Sequence, residues 1–152
     1  MLNMLSAINK HEYYMREALK EAQKAYNEDE IPVGAIIVCK EKIIARAHNL
    51  CEKLIDCTAH AEILAITSAS NFLSAKYLKG CTIYVSLEPC VMCAGALFWS
   101  QIDEVVYGAK DPKRGFENVG GKMLHPKTKI IQSVLADECG ALIKKYFETK
   151  RD

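Results

Sequence analysis

Hydrophobic and polar residues alternate along this chain with two periods, and the switches between them mark out most of its elements. From residue 11 to about 27 the apolar side chains Tyr14, Met15, Ala18, Leu19, Ala22, Ala25 and Tyr26 recur three and four apart, with Glu17, Lys20, Glu21 and Lys24 on the other side. That is the stripe of an amphipathic helix. The acidic run Glu28-Asp29-Glu30 reads as a solvated loop, closed by Pro32, which disfavours helix in the residue before it. Residues 33–39 and 43–49 are β-branched-rich runs around the polar Lys40-Glu41-Lys42, the pattern of a hairpin.

Thr58 stands as N-cap ahead of a helical segment, residues 59–69, which puts His60 and Glu62 in or just before its first turn. Residues 81–87 alternate as a strand, and Glu88-Pro89 breaks it before a helix through Ala94, Leu97, Phe98 and Trp99 that Cys90 and Cys93 open. A fourth strand covers residues 104–107 and a weaker fifth residues 130–135, with a Gly-, Pro- and Lys-rich stretch between. Residues 137–150 close the chain as a helix whose apolar side carries Cys139, Leu142, Ile143, Tyr146 and Phe147. Helices and strands alternating throughout predict an α/β protein, a sheet covered by helices on its faces.

Composition narrows the classes without choosing a function. A length of 152 residues suits one domain spanning 1–152, with residues 1–10 expected as a flexible extension. Apolar residues make up 50% and charged ones 26%, which is ordinary for a globular protein and excludes a disordered chain. Twenty Lys and Arg against nineteen Asp and Glu leave +1, so bulk charge argues neither for nor against a nucleic-acid partner. Seven cysteines with no framework-like spacing and no leader pattern at the start predict a reduced, cytoplasmic protein. No run approaches the roughly 18 apolar residues of a spanning helix, so no membrane role is expected.

The chemistry lies in His60-Ala61-Glu62 and Pro89-Cys90-Val91-Met92-Cys93. Two cysteines three apart at a helix start share a face, and the helix N-terminus favours the thiolates that zinc needs. With His60 they make three ligands, leaving a fourth tetrahedral position for water, as catalytic zinc sites do. Residues two apart on a helix point nearly opposite ways, so His60 and Glu62 can serve one site only if it wraps around the helix end. Glu62 is then the group to move protons. Cys57, three residues before His60, keeps another arrangement open: a closed structural site of three cysteines and one histidine, in a binding module with no catalysis.

His48 and His125 are lone histidines, His48 at the edge of a possible pocket; Cys39, Cys51, Cys81 and Cys139 read as small apolar residues. Trp99 fits either a core or a subunit contact. Asn49, ending the second strand, could offer its carboxamide to a base edge.

The H-x-E and P-C-x-x-C pair is the signature of zinc nucleobase deaminases. The longer strings Ile31-Pro32-Val33-Gly34-Ala35, Ala47-His48-Asn49, Thr58 to Glu62, Leu87 to Ala96, Val106-Tyr107-Gly108-Ala109 and Tyr146-Phe147 with Lys150-Arg151 resemble the bacterial tRNA-specific adenosine deaminases. The resemblance runs from about residue 11 to 151. It implies a cytidine-deaminase-like three-layer α/β/α sandwich with a mixed five-stranded sheet, working as a homodimer with one zinc per subunit. It implies hydrolysis of adenosine to inosine at the wobble position of a tRNA anticodon stem-loop. Asn49 and the backbone around Ala61 would hold the purine, with Ile31, Val33 and Leu87 near the pocket wall.

Residues 116–129 form a shorter loop than better-known members carry, so RNA contacts made there do not transfer. Local charge fits RNA: Lys110, Lys113, Arg114, Lys122, Lys127 and Lys129 face only Asp111 and Glu117 within residues 109–129, and Lys144, Lys145, Lys150 and Arg151 form a second cluster. A solvated loop and tail would look the same. The nearest enzymatic rival is a free-base guanine deaminase, which uses the same zinc chemistry and needs no basic surface.

Overall fold

A computed structural model describes residues 4–150. The first helix, α1, spans Met4–Asn27. It begins earlier than its periodicity suggested, so residues 4–10, expected as a flexible extension, continue the helix; residues 1–3 and Arg151 lie outside the described residues. The hairpin follows as β1 (Gly34–Cys39) and β2 (Lys42–His48). Its turn is the two residues Lys40 and Glu41, both at positive φ, as the commonest tight hairpins require.

A short helix that the sequence did not announce, α2 (Cys51–Leu54), leads into α3 (Ala61–Leu73). Then come β3 (Cys81–Leu87), α4 (Val91–Ser100), β4 (Glu104–Ala109), a single 3-10 turn at Phe116–Asn118, β5 (Lys129–Ile131) and α5 (Ala136–Thr149). The fifth strand is shorter than expected because the chain leaves the sheet after Ile131, with Ser133 and Leu135 both at positive φ.

The strands lie in the order β2-β1-β3-β4-β5. β1 is antiparallel to β2 and to β3, while β3–β4 and β4–β5 are parallel. The sheet is therefore mixed, and the period of two along each strand sorts its side chains into two cores. Ala35, Ile37, Ile83, Val85, Val105 and Tyr107 pack with Ala61, Ala65 and Ala69 of α3 and Ala94 and Leu97 of α4. Ile36, Val38, Tyr84 and Val106 pack on the opposite side with Tyr14, Met15 and Ala18 of α1 and Cys139 of α5. The result is the three-layer α/β/α sandwich. Each fully buried aliphatic side chain, such as Ile36 or Ile37, contributes about 1.5–3 kcal/mol relative to exposure. The approach of α1 to β1 is close enough to need Gly34, where a Cβ would run into the Ala18 carbonyl and the Ala22 amide. Among the described residues no helix is long and apolar enough to cross a membrane.

Candidate metal centre and active site

The layered fold brings two helix N-termini together beyond the carboxyl end of β3. His60 is the N-cap residue of α3 and Cys90 that of α4, both with extended backbone, and Cys93 lies one turn into α4. Neither N-cap residue makes a conventional side-chain cap, so the positive ends of both helix dipoles act on the thiols and the carboxylate gathered between them. Thr58, expected to cap α3, instead bonds Asp56 Oδ1 through its amide and hydroxyl, at 2.8 and 2.7 Å. That turn delivers His60 to the helix end.

His60 Nδ1 stands 3.7 Å from Cys90 Sγ and 3.5 Å from Cys93 Sγ, and the three donor atoms lie within 4.8 Å of one another. Bonds of about 2.3 Å to sulfur and about 2.05 Å to nitrogen, at tetrahedral angles, place N and S roughly 3.6 Å apart. The two nitrogen–sulfur separations thus match edges of a zinc tetrahedron, with Nδ1 as the histidine atom turned to the sulfurs. Protonation follows the same arrangement. The hydrogen bond with Cys93 holds the Cys90 thiol down to about 4, while the mirror effect and burial raise Cys93. One proton between two sulfurs is what a divalent cation displaces. The residues fit zinc.

Glu62 is in the first turn of α3 and 4% exposed. Burial pushes its carboxyl up to about 7, against the opposing pull of its own backbone amide, His60 and the Cys93 side chain. The His60–Glu62 pair therefore meets at one site because His60 precedes the helix and Glu62 lies inside it, the wrap around the helix end that their spacing demanded. Cys57 is exposed and stands outside the donor cluster, so the closed four-ligand site has no support in this arrangement.

Asn49 is buried; its backbone N–H donates to the Val33 carbonyl at 3.1 Å and its side-chain Oδ1 accepts from Cys51 Sγ at 3.0 Å. Ala61 is buried at the start of α3, Val33 is buried, Ile31 is exposed, and Leu87 is half-buried against both cores. His48 lies between two carboxylates, Nδ1 3.4 Å from Glu21 and Nε2 3.1 Å from Glu28. Trp99 is not core: it is 75% exposed, while its neighbours Leu97 and Ile102 are buried.

Sequence reasoning missed the structural roles of two carboxylates, Glu88 and Glu30, and the placement of Arg114. Glu88, buried between β3 and Pro89, accepts backbone N–H bonds from Asp111 and Glu117, both at 3.0 Å. Glu30 accepts from the amides of Glu52 and Lys53 at 2.9 and 2.8 Å, so this one acid of the run is buried rather than solvated as expected; Glu28 and Asp29 are exposed, Asp29 paired with Lys150 at 2.8 Å. Arg114 is exposed immediately before Gly115, whose backbone bridges Cys90. A charged residue abutting a ligand motif was the available signal for Glu88; nothing local pointed to the burial of Glu30, and Arg114 stood out only as one of the basic residues of the 109–129 segment.

A sheet covered by helices on both faces, with a His-Cys-Cys donor triad at two helix ends and a buried carboxylate beside it, defines a zinc-dependent deaminase of the nucleobase type. The model of the cytidine and deoxycytidylate deaminase zinc-binding region matches residues 8–109. The tRNA-specific adenosine deaminase of Bacillus subtilis (strain 168) is 43% identical over 145 residues, covering 92% of this chain and 90% of that protein. A structure from studies of A-to-I editing by tRNA:A34 deaminases at the wobble position of transfer RNA superposes with a TM-score of 0.81. It is 37% identical over 86% of this chain and 98% of that one. A guanine deaminase from Bacillus subtilis is 40% identical but covers 66% of this chain and 64% of its own, with a TM-score of 0.63. The chain belongs to the family of the tRNA-specific adenosine deaminases, within the cytidine and deoxycytidylate deaminases.

Proposed function

We propose that this chain hydrolyses adenosine to inosine and ammonia at the wobble position of a tRNA anticodon, as one zinc-dependent deaminase domain. The observation that carries the reading is the likeness to tRNA deaminases over nine-tenths of both chains, joined to a donor triad with a buried carboxylate at its side. His60, Cys90 and Cys93 hold the metal. Zinc bound there lowers the pKa of water towards neutrality and so supplies a nucleophile at ordinary pH. Glu62 accepts one proton from the attacking water and passes it to a ring nitrogen as oxygen adds to the amino-bearing carbon; it then takes the remaining proton of the added hydroxyl and delivers it to the amino group, so that the C–N bond breaks, ammonia leaves and the carbonyl of inosine forms. Burial raises the Glu62 carboxyl from its ordinary value, which suits a group that must both accept and release a proton.

Asn49 offers its Nδ2, which has no partner among the described residues, to the flipped base. The backbone at Ala61 adds a polar contact, and Ile31, Val33 and Leu87 wall the ring. The basic residues of the 109–129 segment, together with Lys144, Lys145 and Lys150, suit the phosphates of an anticodon stem-loop. On the outer face of α4, Val91, Met92 and Trp99 are exposed around Gly95, whose Cβ position faces open space. That apolar stripe supports a homodimer, and seven free cysteines suit a reducing cytoplasm.

Incubation of the pure protein with an adenosine-containing anticodon stem-loop, and separately with guanine, tests the reading by the inosine or ammonia released. Inosine from the stem-loop is expected; guanine turnover with an inert stem-loop would favour the second reading, to which the 40% identity with a guanine deaminase lends weight. Sedimentation equilibrium checks the dimer.

A further inference from the structure

Glu88 stands two residues before Cys90, the N-cap of the metal helix, and its carboxylate is taken up by the segment after β4. Both oxygens are used: Oε1 takes the Asp111 amide and Oε2 the Glu117 amide, each at 3.0 Å. The segment between those amides folds on itself, with Asp111 Oδ1 accepting from the amides of Lys113 and Arg114 at 3.1 and 3.0 Å and the Asp111 carbonyl from Asn118 Nδ2 at 2.7 Å. It then lies along the start of α4, where Phe116 donates to the Pro89 carbonyl at 2.9 Å and Gly115 forms a bridge with Cys90. Gly115 has an ordinary φ of −61°, so its small size is needed for space: a Cβ there would overlap the Glu88 carboxyl. The side chain presented at the end of this construction is Arg114, exposed and without an ion pair among the described residues.

We infer that Glu88 is a positioning residue, which fastens the 111–117 segment to the start of the metal helix and so fixes Arg114, next to the Gly115–Cys90 bridge, to receive a phosphate flanking the target nucleoside. A buried carboxylate holding two backbone amides has a fixed geometry, and a segment held at both ends has little freedom left. An Arg on such a mount meets the phosphate with its ordering already done in the free protein. The inference rests on the proposed RNA substrate, and it places the preference for a nucleotide chain over a free base in this loop.

Hydrogen exchange on the wild-type protein tests the mount without any substrate: the Asp111 and Glu117 amides are expected to be protected, and exchange of both at solvent rates would overturn the inference. Kinetics on the stem-loop test the consequence, with inosine formation by the wild type as the control that separates this inference from the underlying reading. Glu88→Gln replaces one acceptor by a donor facing an amide, and KM is expected to rise about tenfold or more at nearly unchanged kcat. Zinc content should stay at one per chain. Arg114→Ala should raise KM similarly and reduce the salt dependence of binding by about one phosphate contact. The double variant should be no worse than Glu88→Gln alone, because a loosened mount no longer delivers the arginine. Additive effects, or a fall in kcat alone, would overturn the positioning role. Should Glu88→Gln fail to fold, Gly115→Ala pushes on the same contact from the loop side and should give the same KM change.

Discussion

Glu30 sits beneath the first turn of α2 and Glu62 within the first turn of α3, each withdrawn from water (1% and 4% exposed) and each at a helix N-terminus. Their partners differ. Glu30 comes from a preceding loop and gives both oxygens to backbone amides of the helix it caps, as a free anion would at such a place. Glu62 belongs to its own helix, has its own amide as backbone partner, and otherwise faces a thiol and an imidazole. Burial with amide donors on both oxygens makes a carboxylate structural. Burial beside groups that themselves carry or release protons makes it reactive, because the desolvation that raises its pKa is only partly offset.

The comparison is broken most severely at Glu62. Glu62→Gln keeps the shape and removes the proton carrier, so turnover on the stem-loop should fall by about 10²–10⁴-fold, with zinc retained on elemental analysis. Activity within tenfold of wild type would show that the proton is carried elsewhere. Glu30→Gln is the opposite experiment: it turns an amide donor of the new side chain towards the amide of Glu52 or Lys53. It should destabilise the fold by about 1–3 kcal/mol in denaturant unfolding while leaving kcat within a few-fold. Equal losses of activity in the two variants would abolish the distinction.

The same contrast explains what could be read from the chain. His60, Cys90 and Cys93 were legible because zinc imposes donor types and a three-residue helical spacing that survive without knowledge of the fold. Five strands and the long helices were legible because their periods of two and 3.6 extend over enough residues to count. The four residues of α2 are too few for a period, so the helix that Glu30 caps was invisible, and with it the reason for burying an acid in the run Glu28-Asp29-Glu30. Glu88 looked like the residue that ends a strand, since its partners lie 23 and 29 positions away. Thr58 carried the right local signal for a cap but spent its donors on Asp56. Motif chemistry is local; the amides that satisfy a buried carboxylate are not.

Cys57→Ser has the smallest expected effect, and its outcome sharpens the comparison by showing which neighbours of His60 belong to the reactive carboxylate. Cys57 is three residues from His60, the same separation that makes ligands of Cys90 and Cys93, so spacing alone admits it to the site. In the fold those three residues are not helical. They contain the Asp56–Thr58 turn and end at an extended His60, which leaves Cys57 exposed while His60 Nδ1 turns inward to the two sulfurs. The variant should therefore hold one zinc and turn over the stem-loop at the wild-type rate, read by metal analysis and inosine formation on the same sample. Zinc loss together with faster unfolding would mean that the thiol swings in to close the tetrahedron. Glu62 would then face a saturated metal, with no water to take a proton from.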